Sequence, residues 1–233
     1  PTLGDFISKQ FYESHGLGVL HSGRPAQDFA HSIPRYQGQC AAWLDVPLQD
    51  GKEDRRGASR VRVAEANAIA KEVKRIADAC GPSLSIGVIS FYRAQCDLIL
   101  EAFVDEGLAE EEAGEIRIRR AYRQTDSGGE RLRVGTVDGF QGKEFDVVFL
   151  SIVRANATVI SEQPVGDERE RLQNSKYGHL RLDNRLNVAM SRQRKLLVAV
   201  GDKCMAEGRE AEEAVPALSE FLKLCNREIA NAG

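Results

Sequence analysis

The stretch from Arg133 to Arg154 reads RVGTVDGFQGKEFDVVFLSIVR. It opens on alternation at Val134 and Thr136 and turns through the polar run Asp138-Gly139-Phe140-Gln141-Gly142-Lys143-Glu144. It then continues into the apolar run Val147-Val148-Phe149-Leu150. Short β-branched and aromatic runs bounded by glycines predict strands buried on both faces. Two such strands predict a connecting loop at a sheet edge, where backbone and short polar side chains can meet a ligand. A glycine-rich turn between two core strands, with no ligand, fits these residues equally well.

Towards the C-terminus, residues 185–194 (RLNVAMSRQR) predict a short amphipathic helix, and residues 196–200 (LLVAV) another buried strand. At about 100° per residue, Leu186, Ala189 and Met190 share the core side, while Arg185 and Arg192 nearly superimpose on a neighbouring face. Two stacked guanidinium groups suit phosphate oxygens, because each is always charged and donates in a planar fork. A solvated charged face is the other reading of the pair. Towards the N-terminus, apolar spacing predicts a strand at Ala41–Val46, a helix over Val61–Cys80 stopped by Gly81-Pro82, a strand over Leu84–Ile89 and a helix over Ala94–Phe103. Strands alternating with helices predict an α/β fold with a mainly parallel, doubly wound sheet.

Thr136–Glu144 (TVDGFQGKE) and Arg185–Arg194, in this order and at this spacing, resemble motifs V and VI of superfamily 1 helicases, in the branch of the RNA-surveillance and nuclease-coupled helicases. Gly87–Gln95 (GVISFYRAQ) is similar to motif IV, with Phe91 where the family usually has proline. The three motifs span most of residues 84–202. The resemblance implies a RecA-like P-loop-NTPase fold. The chain, however, contains no G-x-x-x-x-G-K-[ST] phosphate loop and no apolar strand ending in Asp-Glu. It is therefore similar to the second motor domain alone. The first RecA-like domain of the same parent would supply the phosphate loop and the Mg2+ ligands, and no metal ligand is expected in this chain.

The same resemblance implies the site residues. Arg192 matches the arginine finger on the γ-phosphate of ATP. Gly142 would bring backbone close to that phosphate, and Glu144 matches the carboxylate on the ribose. Gln141 lies where the family couples nucleotide state to the other domain, and Arg185 would be a second phosphate contact or brace the helix. Tyr92 and Gln95 match positions near the nucleotide, with Arg93 a further phosphate contact. Thr136 matches the threonine that contacts single-stranded DNA or RNA, and Arg154 is a candidate for the same surface. Thr136 is expected on the nucleic-acid side and Arg192 on the nucleotide side of one sheet edge. The function implied is the second motor domain of an ATP-dependent helicase or translocase. A helicase-like binding or regulatory module without unwinding is the alternative, and an ATPase coupled to something other than nucleic acid a third.

Composition sets the bounds. The chain has 233 residues, 42% of them hydrophobic and 29% charged, which predicts a globular chain with a real core. A formal net charge of −3 means that any nucleic-acid surface must be local. No apolar run reaches the roughly 20 residues needed to span a bilayer. Five scattered cysteines (40, 80, 96, 204, 225) without metal spacing predict reduced, mostly buried thiols and an intracellular setting. Residues 1–40 are expected to form a helix and a loop-rich arm, and residues 41–233 the motor domain. Pro1 matches the last residue of a family motif, so the chain is expected to be a piece of a longer protein. His15, His21 and His31 read as surface histidines. Arg117 and Arg119 alternate on what reads as a strand, either touching a phosphate backbone or decorating a solvated edge. Residues 155–180 read as a long polar connection.

Overall fold

The computed structural model describes residues 2–21, 26–161, 163 and 165–232. Pro1, matched above to a family motif, lies outside them. The helices are α1 (Thr2–Phe11), α2 (Val63–Cys80), α3 (Arg93–Asp105), α4 (Gly166–Tyr177), α5 (Asp183–Met190), α6 (Gly208–Ala214) and α7 (Pro216–Ala232). The strands are β1 (Ala41–Asp45), β2 (Asp54–Arg56), β3 (Ser59–Val61), β4 (Ile86–Ser90), β5 (Ala109–Glu112), β6 (Glu115–Ile118), β7 (Leu132–Thr136), β8 (Phe145–Ser151) and β9 (Gln193–Gly201).

Five strands form one parallel sheet in the order β1-β9-β8-β4-β7, as the doubly wound reading requires. Both faces are covered. Val148, Leu150, Leu197 and Ala199 face α1, α5 and α7, whereas Val147, Phe149, Leu196 and Val198 face α2 and α3. Each of these Val, Leu and Phe side chains, taken fully out of water, contributes about 1.5–3 kcal/mol, which is why these strands read as unbroken apolar runs. α1 joins the first of these cores, its Phe6 ring lying 5.7 Å from that of Phe221 on α7. α2 ends where Gly81, at φ +65°, returns its N–H to the carbonyl of Ala77.

Because the sheet is parallel, it has two chemically distinct edges. Ser90 pairs with both Thr136 and Ser151, so the strands end together. Phe145 pairs with Gln193 where two of them begin. The seven residues of β8 at about 3.3 Å each separate these edges by roughly 20 Å.

Several expectations are corrected. The loop 137–144 does not lie at one edge. β4 sits between β7 and β8, so the loop crosses from the end of one strand to the start of the other. Its Phe140 is fully buried on Gly87 and Gly135, where any Cβ would come within 2.7 Å and 3.3 Å of the ring. The helix expected over 185–194 runs from Asp183 to Met190, because Gln193 and Arg194 are drawn into β9. The polar connection 155–180 contains α4. Towards the C-terminus α6 stops at Ala214, and Pro216 opens α7. Residues 49–60 contribute most of the β2–β3 hairpin. Arg117 and Arg119 belong to the β5–β6 hairpin and are held by its own acids, Arg117 by Glu112 and Glu115 and Arg119 by Glu110. The cysteines are free, with Cys96 and Cys225 buried, Cys40 and Cys80 half-buried and Cys204 exposed.

Candidate functional site

At the edge where β8 and β9 begin, two of the resembled motifs meet. The Phe145 N–H donates to the carbonyl of Arg192 at 2.9 Å, which fixes Arg192 beside the end of the 137–144 loop. Gly142 turns that loop at φ +73°, a conformation that disfavours any residue with a Cβ, and there is open space where a Cβ would lie. Conformation, not crowding by neighbours, explains the glycine. Glu144 follows and accepts from Arg194 Nε at 3.3 Å, both side chains being nearly half exposed. Such a pair contributes little to stability and leaves both groups reachable. The Arg192 guanidinium folds back on the end of α5, with Nε donating to the Val188 carbonyl at 3.0 Å and Nη2 to Ser191 Oγ at 3.0 Å. Its Nη1 has no partner among the described residues.

Beside this corner opens a cleft of about 690 Å3. Leu3 and Ile7 of α1 and Phe29 give it an apolar wall, while Glu144, Ser191 and Gln193 give it a polar one. His31 also lines it and is not a surface histidine. Its Nε2 donates to the Gln39 carbonyl at 2.6 Å and its Nδ1 accepts from the Ile33 N–H, which is the neutral tautomer. Burial, foremost, lowers its pKa and favours that form. Sequence reading missed the arm's part in the cleft, since residues 14–40 carry no periodicity to place them.

The other predicted residues lie elsewhere. Tyr92, Arg93 and Gln95 follow the end of β4, and Arg185 begins α5, so these four lie towards the opposite edge from Gly142, Glu144 and Arg192. The seven positions expected around ATP do not converge, and the arginine clamp does not form. Arg185 donates to Asp138 Oδ2 at 2.6 Å, about 10 Å along the helix from Arg192. Gln95 is fully buried and exchanges hydrogen bonds with the backbone of Arg62, its Oε1 accepting at 2.8 Å, so it offers nothing to a ligand. Tyr92 is buried with its ring 5.0 Å from that of His179. Arg93 is exposed and paired with Asp97. Gln141 is exposed on the loop.

Arg154, expected on a nucleic-acid surface, is 2% exposed. Its Nε lies 3.0 Å from Glu53 Oε2, and it also donates to the carbonyls of Lys176 and Ser175. A guanidinium so enclosed cannot meet a phosphate. Thr136 ends β7 at the same edge, half-buried, and its side chain makes no capping bond. Thr136 and Arg192 thus occupy opposite edges rather than one.

Comparison with known proteins agrees with these motifs. A family described as AAA domain (AAA_12) matches residues 1–204. The chain is 36% identical over 121 residues to the DNA polymerase alpha-associated DNA helicase A of Saccharomyces cerevisiae, covering 52% of this chain and 12% of that protein. It is 28% identical over 205 residues to the Regulator of nonsense transcripts 1 homolog of Neurospora crassa, covering 87% of this chain and 16% of that one. Helicase sen1 of Schizosaccharomyces pombe is 25% identical over 212 residues, covering 87% of this chain and 10% of that protein. The chain therefore spans between 10% and 16% of the length of these relatives. It belongs to the AAA domain family, with the parallel α/β architecture and motifs of a second RecA-like domain of superfamily 1 helicases.

Proposed function

We propose that the chain is the second motor domain of an ATP-dependent helicase or translocase, closing over ATP with the edge where β8 and β9 begin. The observation that carries this reading is the meeting of Gly142, Glu144 and Arg192 beside one cleft, with a guanidinium whose Nη1 has no partner among the described residues. Glu144 would accept from the ribose. Arg192 would swing its fork onto the γ-phosphate as negative charge spreads over the transferring oxygens, a contribution of about 10³–10⁵ in rate in related chemistry.

Among the described residues, no group of three or more His, Cys, Asp or Glu could hold a metal ion. The first RecA-like domain of the parent is the partner that would bring Mg2+ and the phosphate loop. The opposite edge, with Thr136 and Arg93, would take single-stranded DNA or RNA. No helix among the described residues is long and apolar enough to cross a membrane, and the setting we propose is intracellular.

The test is Arg192→Ala in the full-length parent. We expect kcat to fall by about 10³-fold or more with single-strand binding retained, and Arg192→Lys to recover little, since a point charge does not replace a planar fork. Hydrolysis by Arg192→Ala at the wild-type rate would remove the assignment.

A further inference from the structure

Beneath the edge where the strands end lies a carboxylate for which the reading above has no use. Glu65, on the first turn of α2, is fully buried. Its Oε1 accepts from Ser151 Oγ at 2.5 Å and from the Val153 N–H at 2.9 Å. Its Oε2 lies 3.2 Å from the same N–H and 3.5 Å from Arg62 Nη1. Two features show that this contact is built. Val153 sits at φ +65°, a left-handed conformation that a β-branched residue adopts only under constraint, and the Arg154 N–H closes a three-residue turn onto the Ile152 carbonyl at 2.6 Å. On the neighbouring strand Gly201 leaves the room. A Cβ there would overlap Ile152 and come within 2.9 Å of the Glu65 carboxylate.

What the strained turn aims is Arg154. Its guanidinium, fixed by Glu53, gathers the carbonyls of Ser175 and Lys176 at the end of α4. Just beyond, Gly178 packs so closely that a Cβ would lie 2.8 Å from the Tyr92 hydroxyl and 3.0 Å from Arg154 Nη1. Five residues later the chain enters α5, which carries Arg185 and leads to Arg192. Strain held at such a place points to a functional demand on geometry.

We propose that Glu65 is a positioning residue: it holds the left-handed turn at Val153, and through Arg154 that turn sets where the α4–α5 segment lies and hence the approach of α5. Its bearing on catalysis rests on the role given above to Arg192. The turn itself is tested without nucleotide, so either idea can fail alone.

The experiment follows backbone amide resonances of the isotopically labelled 233-residue chain. Glu65→Ala is expected to shift residues 175–185 as well as its direct neighbours. Glu65→Gln keeps an acceptor for Ser151 and Val153, and is expected to leave residues 175–185 near their wild-type positions. The decisive variant is Glu65→Ala with Val153→Gly. Glycine adopts φ +65° without the steric cost borne by valine, so the double variant is expected to return residues 175–185 to wild-type positions. A merely space-filling glutamate would show no such rescue. Shifts confined to Arg62, Ser151 and Val153 in Glu65→Ala, or a double variant no closer to wild type, would overturn the proposal. Should Glu65→Ala not fold, Val153→Gly alone decides: unchanged resonances at 175–185 together with folding of the double variant support it, and displaced resonances or a double variant that also fails to fold reject it.

Discussion

Where β8 and β9 begin, Glu144 and Arg194 are each nearly half exposed and, among the described residues, the Arg192 guanidinium is held only by Val188 and Ser191, although Arg131, where β7 begins, is buried on the carbonyls of Ala77, Ala121 and Gly81. At the edge where the strands end, comparable residue types go inside. Arg62, Glu65 and Arg154 are each no more than 2% exposed, and they are held by backbone groups, by the side chains of Ser151 and Glu53 and, for Arg62 and Glu65, by one another. The two edges therefore do different jobs with the same chemistry. Loosely held exposed charge can rearrange onto a ligand. Buried charge held by backbone groups fixes backbone, because leaving such a group unpaired is costly. The edge where the strands end presents its surface through residues outside the buried network, Thr136 and Arg93 among them.

Removing a buried member tests that contrast most severely. Arg154→Ala strips from Glu53 one of its two counter-charges, the other being Arg60 at 2.6 Å, and releases the end of α4. A loss of about 3–5 kcal/mol is expected for breaking a buried pair from one side, read by urea unfolding of the chain. An exposed arginine at the other edge, Arg194, 45% exposed at its side chain, should cost no more than about 1 kcal/mol in the same assay. Equal small losses for both would mean that the edges do not differ in kind.

Glu65 sharpens the same contrast through pH. Burial, above all, raises its carboxyl from 4.5 to about 7, against the hydrogen bonds from Ser151 and Val153 and the charge of Arg62, which lower it. A carboxyl with a raised folded pKa binds its proton more tightly in the folded state. Its contribution is therefore fully present below about 4.5 and is lost as pH rises through about 7. Glu65→Gln cannot titrate, so its unfolding free energy should lack this fall, which approaches about 1.4 kcal/mol per pH unit at most. Identical pH profiles for the two proteins between pH 5 and 7.5 would show that Glu65 keeps one protonation state there.

How far the sequence disclosed all this depends on what kind of fact was asked for. α2, α3 and the central strands were legible because apolar spacing encodes burial directly. α4 was not, because GDERERLQNSKY has no apolar stripe and docks through Gln173 and Tyr177. The edges were the harder matter. Thr136 and Glu144 are eight residues apart in one motif, and nothing local says that β4, from fifty residues earlier, will be threaded between their strands. Arg154 looks like a surface residue at the end of an apolar run until Glu53, a hundred residues upstream, is brought against it. Motif resemblance names residues that belong together in function. Only the strand order says which of them share an edge.

The smallest effect makes the finest test of that separation. Thr136 ends β7 with no capping bond, on the edge assigned to the polynucleotide. Thr136→Val keeps the shape and removes one hydroxyl, so the loss should be that of a single hydrogen bond, about 0.5–1.5 kcal/mol, or more if a charged phosphate is its partner. In the parent this means severalfold more single-stranded nucleic acid for half-maximal stimulation of ATP hydrolysis, with basal hydrolysis unchanged, because Arg192 and Glu144 are some 20 Å away across the sheet. Threonine carries no charge, so the dependence of binding on salt should keep its slope. Arg93→Ala, at the same edge, should lower that slope by roughly one unit if its guanidinium neutralises a phosphate. The measurement is oligonucleotide-stimulated hydrolysis at several salt concentrations for both variants. If Thr136→Val instead slows basal turnover and leaves the half-maximal concentration alone, the threonine serves the nucleotide, and the division of labour between the two edges is wrong.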